Sequence, residues 1–170
     1  MRQLTVNIVL VGFMGTGKTA VGRIVAQKLG ANFMDTDEVI EQTSQAKIAD
    51  IFSDHGENYF RDLESQAVQL VAQMKNQVIA TGGGVVLRTN NIELLKKSGS
   101  LFCLNATPKA IWERVRRNKN RPLLRVPNPL KRIETLLEER LPHYALADYQ
   151  IQTNNMSIDQ VADEIISYTD

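Results

Sequence analysis

An α/β fold, with a parallel sheet covered by helices on both faces, is what this sequence predicts, and three observations predict it. Five short, mostly apolar runs are spaced along the chain, and amphipathic stretches with helical periodicity lie between them. The first run passes directly into a glycine-rich turn that opens the first helix. Strand-helix alternation of this kind makes the helices crossovers between parallel strands. The 170 residues suit a single domain spanning the chain, residues 1–170, around one core.

Strands are expected at residues 6–11, 32–34, 78–81, 100–104 and 149–152, where apolar residues run together as in strands covered on both faces. Val21, Ile24, Val25 and Leu29 recur at helical spacing, with Gly30 as a stop. Phe60, Leu63, Ala67, Leu70, Val71 and Met74 form a second stripe. Thr107 and Pro108 read as a cap and first-turn proline ahead of Ile111, Trp112 and Val115. Leu130, Ile133, Leu136, Leu137 and Leu141 form another stripe, which Pro142 should kink or end beside Arg140. Ser157 with Gln160 resembles a capping box before Ile158, Val161, Ala162, Ile165 and Ile166. Residues 118–128 are polar and basic and hold Pro122 and Pro127. They read as an exposed loop able to close over a ligand.

Composition narrows the function. Twenty basic against nineteen acidic residues give a net charge of +1, which argues against a nucleic-acid binder or a polybasic membrane protein. No apolar stretch approaches the ~18 residues of a membrane span. The first strand begins close to the N-terminus, so no signal or transit peptide is expected. Cys103, the single cysteine, excludes an internal disulfide and reads as a buried apolar residue. A cytoplasmic location is expected. His55 and His143 lack metal-ligand spacing.

Gly12-Phe13-Met14-Gly15-Thr16-Gly17-Lys18-Thr19 matches G-x-x-x-x-G-K-[ST] between a strand and a helix. Glycines let successive backbone amides converge on phosphate oxygens, and the helix start adds the positive end of its dipole. Lys18 would reach the β- and γ-phosphates of ATP, and the Thr19 hydroxyl could ligate Mg²⁺. Asn118-Lys119-Asn120-Arg121 lacks the final Asp of a guanine-reading N-K-x-D.

Asp35-Thr36-Asp37 follows the second strand, where the carboxyl ends of parallel strands line a ligand crevice. Taken alone, the pair is either a metal-and-base set or an acidic helix cap. Gly82-Gly83-Gly84 follows the third strand and allows close backbone approach to an anion, or a tight turn. Arg61 precedes Glu64 by three residues, a spacing that can fix the guanidinium for carboxylate recognition or make a plain surface pair.

In this order, the phosphate loop, D-T-D, G-E-x-x-F-R-x-x-E at residues 56–64, G-G-G, R-P-L-L at 121–124 and R-x-P-x-Y at 140–144 resemble shikimate kinase across nearly the whole chain. The resemblance implies a P-loop kinase fold like that of nucleoside monophosphate kinases: five parallel strands, a lid at about 118–128 and a substrate-binding region at about 35–64. It implies ATP-dependent phosphorylation of shikimate, in aromatic amino-acid biosynthesis, by a monomer. ATP would be held by Gly12, Gly15, Thr16, Gly17, Lys18, Thr19 and Ala20, with Arg117 and Asn154 towards the adenine. Asp35 and Thr19 would serve Mg²⁺. Asp37 would be the base and bind shikimate hydroxyls. Arg61, Arg140 and Gly83 would hold the carboxylate, and Arg121 would close onto the phosphates. Trp112 and Tyr144 read as packing residues, and Met14 carries no role that the sequence reveals.

Overall fold

The computed structural model describes residues 4–118 and 121–169. Strands β1 (Asn7–Val11), β2 (Asn32–Asp35), β3 (Gln77–Ala80), β4 (Gly99–Asn105) and β5 (Tyr149–Gln152) form one sheet in the order β2-β3-β1-β4-β5. Every pairing is parallel, with Val9 of β1 opposite Ile79 of β3 and Leu101 of β4. The helices are α1 (Lys18–Leu29), α2 (Thr36–Ser44), α3 (Ile48–His55), α4 (Glu57–Ala72), α5 (Thr89–Ser98), α6 (Pro108–Val115), α7 (Pro129–Tyr144) and α8 (Ile158–Ser167). The predicted α/β class and its five parallel strands are therefore present.

Successive side chains of a strand point to opposite faces, and β1 shows it. Ile8 and Leu10 pack with Val21, Val25, Val161 and Ile165 of α1 and α8. Val9 and Val11 pack on the other face with Val68 and Val71 of α4, Leu95 of α5 and Ile133 of α7. All five residues of β1 are buried. The edge strands differ from expectation: β2 and β5 are only partly covered, because each has a neighbour on one side only.

Local signals account for most helix ends. Gly30 closes α1 in the left-handed region at φ 65°. The Thr107 hydroxyl accepts from the Ala110 amide, and the Ser157–Gln160 capping box is formed in both directions. Helices α2, α3 and α5 go beyond the periodic stripes read from the sequence. Each is ten residues or shorter and lacks the first-turn proline or capping box that marks the equally short α6 and α8. Of the two effects expected of Pro142, a kink or an end, the end is not seen: α7 runs on to Tyr144. The carbonyl it leaves without an amide belongs to Glu138, an exposed residue, and the helix stops two residues later. Within residues 118–128, Pro122–Leu124 forms a 3-10 turn and Leu124 is buried; Lys119 and Asn120 lie outside the described residues.

After β1 the chain builds the β2–β3 side of the sheet, then crosses to β4 and β5. The carboxyl ends of β1, β2 and β3 are thus brought together, and they carry the glycine-rich loop, Asp35 and the triple glycine.

Candidate active site

The loop after β1 is shaped by backbone freedom. Gly12 sits at φ 138°, and a Cβ there would strike the Leu104 carbonyl of β4, so only glycine lets the chain turn at this point. The Thr16 hydroxyl donates to the Phe13 carbonyl at 2.8 Å, bracing the turn from within. Gly17, at φ 96°, precedes α1 with no side-chain cap, leaving first-turn amides available to an anion. Lys18 is buried, and its Nζ donates to the carbonyls of Gly12 at 2.6 Å and Phe13 at 2.9 Å. Burial lowers its pKa to about 8, against the opposing pull of Asp37. Gly15, Gly17, Lys18, Thr19 and Ala20 line a cavity of about 290 Å³, while Gly12 and Thr16 are buried and support the loop.

The two readings of the acidic pair meet in one residue. Asp35 caps α2, its Oδ1 accepting from the Asp37 amide at 2.9 Å. Its Oδ2 accepts from the Thr19 hydroxyl at 2.8 Å. A paired hydroxyl and carboxylate suit Mg²⁺, which takes one or two protein oxygens and completes its shell with water and phosphate. Among the described residues no group of three or more His, Cys, Asp and Glu could hold a metal ion.

Asp37 projects from the first turn of α2, and its Oδ1 is buried without a hydrogen-bond partner among the described residues. Burial raises its pKa to about 6, helped by the charges of Asp35 and Glu64 and opposed by Lys18 and Arg121. A carboxylate held in this way is neutralised more easily than an ordinary aspartate, as a proton acceptor must be.

A second cavity of about 510 Å³ opens beside the first. Arg61 of α4 reaches it, donating to Glu64 at 2.9 Å and to Glu57 at 3.1 Å. Arg140 of α7 lines the same space, 2% exposed, with its guanidinium carbon 5.6 Å from the Phe13 ring centroid. The triple glycine makes room for these charges. A Cβ on Gly84 would fall on the Arg61 guanidinium, and one on Gly82 would lie 2.8 Å from Glu64 Oε2 and 3.0 Å from Asp37 Oδ1. Ile48, Phe52 and Phe60 supply an apolar wall. Buried polar atoms without partners among the described residues gather here: Asp37 Oδ1, Arg61 Nε, Glu64 Oε2 and Arg121 Nε all belong to residues lining this cavity. Such atoms are costly to bury unpaired and are met most simply by a polar ligand.

Met14, Asp37, Gly82, Gly83 and Arg121 line both cavities, so the two spaces meet at Asp37. Arg121 precedes the 3-10 turn and is turned inward, close enough to influence Lys18 and Asp37. The adenine-side residues are placed differently. Arg117 is exposed and lines neither cavity. Asn154 is half-buried and accepts from the Thr107 amide at 3.2 Å. Arg114, unremarked in the sequence, donates to the Gly15 carbonyl at 3.1 Å and to the Thr153 hydroxyl at 3.3 Å. His55 instead packs its ring against Tyr59 at 4.3 Å between centroids.

The family model described as shikimate kinase matches residues 14–170. The chain belongs to the shikimate kinase family. A shikimate kinase of Thermodesulfovibrio yellowstonii is 53% identical over 160 residues, 94% of this chain and 92% of that protein. One from Caldanaerobacter subterraneus is 52% identical over 160 residues, 94% of each. The solved shikimate kinase of Acinetobacter baumannii, in complex with shikimate, superposes with a TM-score of 0.93 at 40% identity, covering 96% of this chain and 92% of that one. The protein is accordingly an enzyme with the P-loop kinase fold, catalysing the ATP-dependent phosphorylation of shikimate with ATP and Mg²⁺. No helix among the described residues is long and apolar enough to cross a membrane.

Several residues in and around the two cavities carried little signal of their own in the sequence. Glu64 reads only as a partner of Arg61, yet its second oxygen faces Asp37 across Gly82. Thr36 is fully buried and accepts from the Gly82 amide at 3.2 Å. Met14 lines both cavities. The spacing of Ile48, Ile51 and Phe52 at i, i+3 and i+4 was the available sign of the apolar wall on α3.

Proposed function

We propose that Asp37 accepts the proton of the shikimate hydroxyl that attacks the γ-phosphorus of ATP, giving shikimate 3-phosphate and ADP. One observation carries this reading: of the carboxylates here, Asp37 alone lines both cavities, with a buried Oδ1 and a pKa raised to about 6. Lys18 exchanges its contacts with the loop carbonyls for phosphate oxygens, and Arg121 approaches from the lid side to balance charge on the moving phosphoryl group. Thr19 and Asp35 would hold Mg²⁺, which when bound would help neutralise the polyphosphate. Arg61 and Arg140 face the acceptor carboxylate, with the Gly83 backbone beside them. Asp37 also accepts hydrogen bonds from shikimate hydroxyls. The segment at 118–128 acts as the lid and 35–64 as the acceptor-binding region of one domain, residues 1–170. Arg117 and Asn154 serve the adenine side when the lid is closed. All these groups belong to one chain, and the charge balance of +1 offers no bulk polyanion surface. The enzyme therefore works as a cytoplasmic monomer, without nucleic acid or membrane.

The direct test is ADP release with and without shikimate at several Mg²⁺ concentrations. Release that is stimulated by shikimate and needs Mg²⁺ is expected; release indifferent to shikimate refutes the acceptor assignment. Arg61→Lys keeps the charge but loses the fork that meets Glu57, Glu64 and a carboxylate together. Its KM for shikimate should rise about tenfold or more, with a smaller change in kcat. Equal kinetics in the variant would return Arg61 to a purely structural role.

The pH profile follows from Asp37. Below about 6 its carboxyl is protonated and cannot take the hydroxyl proton. At saturating MgATP, kcat/KM for shikimate should therefore fall tenfold per pH unit on the acid side, with a break near 6. An acid limb with its break at an ordinary aspartate pKa would contradict the buried-base assignment.

A further inference from the structure

The triple-glycine loop borders both cavities, yet glycines have no side chains to fix its pose. Two buried hydroxyls do so. The Thr36 hydroxyl accepts from the Gly82 amide at 3.2 Å, and the Tyr144 hydroxyl donates to the Gly83 carbonyl at 2.6 Å. The Gly82 and Gly84 carbonyls accept from the Val85 and Leu87 amides at 3.1 Å each. Among the described residues, this leaves the Gly83 and Gly84 amides without a protein acceptor, in a loop that lines the acceptor cavity.

Tyr144 has a second contact. It lies one helical turn after Arg140 on α7, close enough for the Arg140 charge to act on its phenol. A Cβ on Gly83 would come 3.4 Å from Arg140 Nη1 and 3.2 Å from the Met14 amide, so loop, arginine and phosphate loop are in mutual contact. Tyr144 is 2% exposed, and burial raises its pKa to about 12, so it stays a protonated donor throughout the working range.

We propose that Tyr144 and Thr36 are positioning residues for the acceptor. Their hydroxyls hold the Gly82–Gly84 loop in the pose that presents its free amides beside Arg140, and neither touches the reacting atoms. This rests on the acceptor assignment of the preceding subsection.

Tyr144→Phe keeps the ring and removes the donor. Its KM for shikimate should rise about five- to tenfold, with kcat within about twofold and the ATP dissociation constant, measured without shikimate, unchanged. A hydroxyl with a purely structural role would lower the thermal midpoint when removed and leave that KM alone. A wild-type shikimate KM in folded Tyr144→Phe, or an equal rise in the ATP constant, overturns the proposal. If Tyr144→Phe does not fold, Thr36→Val carries the same expectation, and a wild-type shikimate KM in it is equally fatal. Arg140→Lys separates the two levels of the reading. If it leaves the shikimate KM unchanged, the acceptor assignment is wrong; if it raises that KM while Tyr144→Phe does not, only the positioning role is lost.

Discussion

Asp37→Asn is expected to lower kcat by about 10²–10⁴-fold, the range general-base catalysis supplies, while ATP affinity changes little. The amide keeps the shape of the carboxylate and cannot take a proton. Asp37 meets the phosphate cavity only at its edge, so nucleotide contacts survive the change. The same substitution should stabilise the ligand-free protein. The folded pKa of about 6 lies above the ordinary aspartate value of 3.8, so folding favours the protonated form. Below about pH 4 both states are protonated and the group costs nothing. Between about 4 and 6 stability falls as pH rises, and above 6 the full cost of roughly 3 kcal/mol is present. Chemical denaturation at pH 7 should find Asp37→Asn more stable than the parent, with the gap closing below pH 4. Unchanged turnover would show that Asp37 is not the base, and a variant less stable at pH 7 would show that its charge carries no burial cost.

Lys18→Ala should reduce turnover by about 10²–10³-fold or more, the scale seen when one charged or hydrogen-bonding group is taken from a developing anion. ATP affinity should fall with it, since no other lysine lines the phosphate cavity among the described residues. Stability should shift little. Alanine loses two hydrogen bonds to the carbonyls of Gly12 and Phe13 and also removes a buried ammonium whose pKa burial has lowered to about 8. The lowered value means the folded state disfavours the charge below about 8, and that cost disappears as pH rises through 8 towards 10.5. In the parent, ATP affinity should therefore weaken above pH 8 as Lys18 loses its proton. Calorimetric titration of ATP between pH 7 and 9 measures this, and a flat profile would place the working pKa of Lys18 elsewhere.

Much of this enzyme was legible before any fold was known, because its signals are local. A glycine-rich turn between a strand and a helix needs particular residues at particular offsets. The capping box at Ser157 and the left-handed stop at Gly30 are likewise written in a few adjacent positions. Buried parallel strands show as apolar runs, so the central strands were plain, while the short helices α2, α3 and α5 lack the first-turn proline or capping box that announced α6 and α8. At Pro142 the local signal allowed a kink or an end, and the helix runs on. Its local penalty is real, but it falls where the freed carbonyl is on an exposed residue near the helix end.

By itself, the sequence determined the α/β class, the phosphate loop and the identity of the charged residues, since each depends on spacing along the chain. Only the tertiary structure decided that Asp37 stands where two cavities join, that Glu64 faces it across Gly82, and that Tyr144 holds the Gly83 carbonyl 61 residues away. Burial and mutual charge, which move Asp37 to about 6 and Lys18 to about 8, are properties of distance in space. They come into being only when strands far apart in sequence bring their carboxyl ends together.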